Sequence, residues 1–172
     1  MKRTLILVRH GKSSWEEASL ADRERPLAAR GLRDAPRMGR RLARNKVLPD
    51  LILSSPACRA RTTAMLMAAE LDGKRDIVID ERLYGGDVRT LLGVVTGLGD
   101  ELGCVMLVSH NPELSELAHL LSRAIREMPT CAIVRLTFDA ASWAAIPALI
   151  PAAVHVDSPK RRRGEAPSAD SA

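Results

Sequence analysis

Four short apolar runs constrain this chain more than any other feature. Residues 4–8, 50–54, 77–79 and 104–109 are each dominated by Leu, Ile, Val or Met, and the runs break off at charged, polar or glycine residues. A continuous run of that length predicts a strand buried on both faces, as in a parallel sheet, rather than a strand with one wet face. Residues 134–138 alternate instead and predict an edge or antiparallel strand. Helical segments are expected between the runs: 33–44, with Met38 and Leu42 on one face and arginines on the other, then 59–71 and 112–125, and a weaker 87–98 interrupted by Gly93 and Gly97. Pro36 fits the first of these only near its first turn or at a kink. Pro112 after Asn111 predicts a first helical residue and its N-cap. Strand and helix alternate, so the expected class is α/β: three layers, a mainly parallel central sheet, helices on both faces.

The 172 residues suit one domain, expected over 1–157, and no repeat or internal boundary breaks them. Apolar residues make up 46% and aromatics only 2%, so the core must be aliphatic, and the bases of a single-stranded nucleic acid would find few stacking partners. Trp15 and Trp143 read as packing residues. Much of the +5 net charge comes from Lys160-Arg161-Arg162-Arg163. That run lies in a Pro-, Ser- and Ala-rich tail, 158–172, too poor in apolar surface to order itself, and it reads as disordered and solvated. A nucleic-acid arm is the competing reading of the same charge, but no nucleic-acid motif accompanies it. Cys58, Cys104 and Cys131 are scattered and contain no C-x-x-C pair, which argues against zinc and redox motifs. The apolar run at the N-terminus is too short for a signal peptide, and no stretch is long enough to span a bilayer. A cytoplasmic protein without a membrane partner is the expectation.

Chemistry gathers at the strand ends. The first run leads into Arg9-His10-Gly11, the second into Ser54-Ser55-Pro56 and then Arg59, and the fourth into Ser109-His110-Asn111. Ligands of an open parallel sheet bind beyond the carboxyl ends of its strands, so Arg9, His10, Arg59 and His110 are candidates for one pocket. Two guanidinium forks match phosphate oxygens. A neutral imidazole is a nucleophile that can form a covalent intermediate. Gly11 would let the backbone approach the ligand, and the helix start at Asn111 would favour an anion.

Arg9-His10-Gly11, the segment Ser55-Pro56-Ala57-Cys58-Arg59-Ala60 with Thr63, and Ser109-His110-Asn111-Pro112 together resemble the histidine phosphatase superfamily, whose fold is phosphoglycerate mutase-like. More narrowly, Arg9-His10-Gly11-Lys12-Ser13-Ser14-Trp15 followed by Arg25-Pro26-Leu27 and Arg30-Gly31 resembles the SixA-type phosphohistidine phosphatases, which usually carry alanine where Gly11 stands. The resemblance implies His10 as phosphoryl acceptor, Arg9, Arg59 and His110 as groups holding the phosphoryl, and no metal or other cofactor. It implies substrate contacts from Gly11, Lys12 and Asn111 as well. Asp80-Glu81-Arg82-Leu83-Tyr84-Gly85 resembles the acid-bearing segment of the mutases, making Glu81 the candidate general acid and Tyr84 a pocket wall. The implied activity is dephosphorylation of phosphohistidine on a signalling protein, with a small-molecule phosphomonoesterase as the alternative. The spacings Arg59 to Glu81 and Glu81 to His110 leave little room for a capping insertion, which suits a bulky protein substrate.

Overall fold

The computed structural model describes residues 1–73 and 76–160. The basic tail expected at 158–172 lies outside the described residues from Arg161 onward. Among the described residues, one sheet holds six strands: β1 (Lys2–Arg9), β2 (Leu51–Ser54), β3 (Ile77–Ile79), β4 (Cys104–Ser109), β5 (Ile133–Asp139) and β6 (Ala153–Asp157). Their order is β3-β2-β4-β1-β5-β6. The four apolar runs form β1 to β4, all mutually parallel. β5 is antiparallel to β1, and β6 is antiparallel to β5. The alternating run is therefore antiparallel but interior. The edges fall to β6, a strand with two exposed residues and no apolar run to announce it, and to β3, where Val78 and Ile79 are exposed, so the third apolar run is an edge strand and not one buried on both faces.

Four helices cover the two faces: α1 (Ala29–Arg44), α2 (Cys58–Ala68), α3 (Val88–Thr96) and α4 (Glu113–Ser122). The two-residue period of β1 divides the core. Ile6 and Val8 point to the α1/α2 side, with Met38, Leu42, Ala64 and Met67. Leu5 and Leu7 point to the α3/α4 side, with Leu91, Val95, Leu114 and Leu117. Trp143 is fully buried on that second side, as expected of a packing residue, but Trp15 is 72% exposed.

Three helix boundaries depart from expectation. α1 starts four residues before Arg33, so Pro36 lies in its middle and costs it one ladder hydrogen bond. α4 starts at Glu113, and Asn111 does not cap it. The Asn111 amide instead donates to the Met128 carbonyl and accepts from the Ser115 hydroxyl. α2 starts one residue before Arg59 and ends at Ala68, short of Leu71. α3 keeps close to its expected range, and Asp87 caps it by accepting from the Thr90 backbone.

β4 enters the sheet between β1 and β2, after the chain has already passed through β2 and β3. Such a reversal of strand order opens a crevice at the carboxyl ends of the strands. His10, Ser55 and His110 stand on that rim.

Candidate active site

The sheet itself brings the two histidines together. The His10 amide extends the β1/β4 pairing by donating to the Ser109 carbonyl at 3.1 Å. The rings of His10 and His110 then lie 4.9 Å apart, tilted by 57°. Tyr84, reached through the turn after β3, packs T-shaped on His110, with ring centroids 5.6 Å apart and planes at 71°.

Each imidazole is oriented by one nitrogen. His10 Nδ1 lies 2.7 Å from the Gly11 carbonyl. A carbonyl only accepts, so Nδ1 carries the proton and Nε2 keeps a free lone pair. His110 Nε2 lies 2.7 Å from the Ser55 hydroxyl. That hydroxyl also accepts from the Ala57 amide; when it donates its own hydrogen to Nε2, the proton of His110 stands on Nδ1. His110 Nδ1 is buried and, among the described residues, has no hydrogen-bond partner; the same holds for Arg9 Nε.

Burial and surrounding positive charge keep both rings neutral. Desolvation, followed by the charges of Arg59, Arg9 and Arg25, brings His10 down to about 4 despite its bond to Gly11. Desolvation, followed by His10 and Arg59, brings His110 to about 3, with Asp22 opposing. The expected kinetic result is an acid limb of kcat/KM near pH 4, where an ordinary imidazole would give 6.5, once the second ionisation of the substrate phosphate near pH 6 has been corrected for. A corrected limb at 6.5 would remove His10 from the nucleophile role. Stability follows the same sign. Unfolded imidazoles take up protons below 6.5 that the folded ones refuse until about 4 for His10 and about 3 for His110, so folding stability is full above 6.5 and is lost as pH falls through that window.

Arg9 donates from Nη1 to the Met128 carbonyl at 2.8 Å. Burial pulls its pKa down while Glu127 opposes the change. Arg59 is only 7% exposed. Its terminal nitrogens both donate to Asp22: Nη1 to the carbonyl and Nη2 to the carboxylate, the latter at 2.9 Å. Asp22 went unmarked in the sequence because nothing in a loop aspartate 37 positions from Arg59 signals the contact; only the fold joins them. Its carboxylate also accepts from Arg25 and from the Tyr84 hydroxyl, each at 2.9 Å. Desolvation would raise its pKa, but hydrogen bonds from Arg59, Arg25 and Tyr84 prevail and hold it near 2.

Glu81, the expected acid, is engaged elsewhere. Its carboxylate pairs with Arg23 at 2.7 Å, and the side chain is 67% exposed. Gly11 packs closely on α1: a Cβ there would meet Gly31 at 3.1 Å. Its amide donates to the Thr63 hydroxyl, which in turn donates to the Arg59 carbonyl, so Thr63 ties the loop after His10 to α2. Lys12 is exposed on that loop. Among the described residues, no group of three or more His, Cys, Asp or Glu is placed to hold a metal ion.

Residues 5–93 match the histidine phosphatase superfamily (branch 1). The chain belongs to that superfamily. An uncharacterized chloroplastic protein of Arabidopsis thaliana is 32% identical over 83% of this chain and 70% of its own length. A solved structure from Agrobacterium tumefaciens, named for phosphohistidine phosphatase SixA, is 31% identical, covers 79% of this chain and 92% of its own, and superposes with a TM-score of 0.72. The protein histidine phosphatase SixA complexed with tungstate shares the fold, with a TM-score of 0.74 at 24% identity, covering 91% of this chain and 97% of its own. As a histidine phosphatase the chain is a phosphatase hydrolase that acts on phosphorylated substrates.

Proposed function

We propose that this histidine phosphatase works through a phosphohistidine intermediate on His10 and removes the phosphoryl group from histidine on a partner protein. His10 Nε2 attacks phosphorus while the bond from phosphorus to the substrate nitrogen breaks. That nitrogen keeps the electron pair, and the substrate imidazole, already protonated on its other nitrogen, departs neutral. Water then attacks the phosphorus on His10, releasing inorganic phosphate and restoring the imidazole. Arg9, Arg59 and His110 Nδ1 offer donors to the three phosphoryl oxygens in both steps, and positioned charge of this kind is most of what phosphoryl transfer requires.

The observation that carries the substrate assignment is the state of the acids around the histidines. Asp22 is held ionised by two arginines and a tyrosine, Glu81 is paired at the surface, and both imidazoles are neutral. Tyr84 already donates to Asp22, and its pKa is raised, by desolvation first. An alkoxide leaving group needs a proton from such groups, and a protonated phosphoimidazole does not. The free thiols of Cys58, Cys104 and Cys131 suit the reducing cytoplasm as its compartment. No described helix is long and apolar enough to cross a membrane.

Three substrates test this reading: a phosphohistidine protein, a phosphoserine peptide and an aryl phosphate. The expected order of kcat/KM is phosphohistidine first, aryl phosphate second and phosphoserine last. Phosphoserine hydrolysed as fast as phosphohistidine would favour a small-molecule or general phosphomonoesterase. Glu81→Gln is expected to change the phosphohistidine rate by less than about twofold, since an exposed ion pair contributes little. A loss confined to the alkyl phosphate would restore Glu81 as general acid.

A further inference from the structure

The residues from the nucleophile to Leu27 form a frame whose links are all side-chain or backbone hydrogen bonds. Ser13 bridges to Leu27, and the Ser14 amide donates to the Pro26 carbonyl at 2.9 Å. Arg25 is buried at the centre of the frame. Its Nε donates to the Ser14 carbonyl, its Nη2 to the Ser13 hydroxyl and its Nη1 to the Asp22 carboxylate. The Trp15 ring lies against it, 3.1 Å from guanidinium carbon to ring centroid. Arg25 therefore holds Asp22 through Oδ1, the oxygen that Arg59 does not use, and Tyr84 holds it further through Oδ2.

Resting on the phosphatase reading above, we propose that Asp22 is a positioning residue: it grips both terminal nitrogens of Arg59 and aims the remaining donors of that guanidinium at the transferring phosphoryl group. A guanidinium has five N–H donors. Asp22 takes one from each terminal nitrogen, so three remain, on one plane whose direction Asp22 sets. Arg25 and Ser13 link that direction to the chain segment that begins at His10.

The opposite role for Asp22 is an internal anion that competes with phosphate for Arg59. Two features count against it. One of the two contacts comes from the backbone carbonyl, which cannot withdraw unless the turn at Asp22–Glu24 moves. The carboxylate also keeps two further donors, Arg25 and Tyr84, that would have to be abandoned.

The two roles differ in sign, so Asp22→Ala separates them. Its side chain is about half exposed, and thermal unfolding checks the fold; Asp22→Asn, which turns an amide donor toward the arginines, is the isosteric second variant. A positioning role predicts a fall in kcat/KM for an aryl phosphate of about tenfold to a hundredfold for both variants, with weaker binding of inorganic phosphate by calorimetry. In an Arg59→Ala background the same Asp22→Ala change should cost less than about twofold, because its effect runs through the missing arginine. Equal losses in both backgrounds, or tighter phosphate binding by either variant, would overturn the proposal. Phosphate binding reads out even if the natural chain hydrolyses none of the three substrates, a result that would defeat the phosphatase reading instead.

Discussion

His10→Ala is expected to lose at least about four orders of magnitude in turnover on every phosphorylated substrate, the scale seen when a covalent nucleophile is deleted from an otherwise intact site. The ring has the tautomer the role needs, because the Gly11 carbonyl takes the Nδ1 proton and leaves Nε2 unprotonated. The site has the charge the role needs, because burial and three arginines keep the ring neutral down to about pH 4. The loss should be uniform across leaving groups, since alanine removes the acceptor rather than a contact to one substrate. A chemical trap checks the same claim from the other side: quenching the natural enzyme during turnover of a ³²P-labelled substrate should leave a label stable in base and labile in acid on the peptide containing His10. A folded variant that retains most of its activity, or a label found on another residue, would displace His10 from the mechanism.

The parts of this picture that follow from local pattern could be read before the fold was known. β1, β2 and β4 are legible because a strand buried on both faces must be apolar along its length, while the equally apolar β3 lies at the sheet edge and the alternating β5 lies inside it. Arg9, His10 and His110 are legible because they stand at the ends of such runs, and parallel strands end on one rim. Residues that meet only through tertiary contact were not legible. β6 is short and half-wet, with His155 at its centre. Trp15 reads as core by composition alone, yet the fold turns it outward over Arg25. Asp22 and Glu81 are both carboxylates in polar loops. Only the folded positions of Arg23 and Arg59 decide that Glu81 pairs at the surface and Asp22 with a buried arginine. The burial of Arg59 is likewise a property of the fold: α2 begins at Cys58, so its first turn carries the guanidinium under the Asp22 turn.

Arg59→Ala is expected to lower turnover by about a hundredfold to a thousandfold, the usual cost of deleting one preorganised donor to a developing charge. Its burial makes the stability side of this prediction specific. The arginine supplies two of the bonds that hold the Asp22 turn, while Arg25 and Tyr84 supply the others. Removing it should therefore loosen the turn and lower the Tm modestly without unfolding the sheet, whose core on that side is made of Ala60, Ala64 and Met67 instead. Arg59→Lys isolates the fork from the charge. An ammonium restores one positive charge but cannot satisfy the Asp22 carbonyl and carboxylate and still present aligned donors to phosphate. Lysine should recover most of the Tm and little of the turnover. Kinetics and thermal unfolding on the two variants side by side decide the matter. A tenfold or smaller loss of kcat/KM together with a large fall in Tm would make Arg59 a structural anchor for the loop, and the phosphoryl group would then rest on Arg9 and His110 alone.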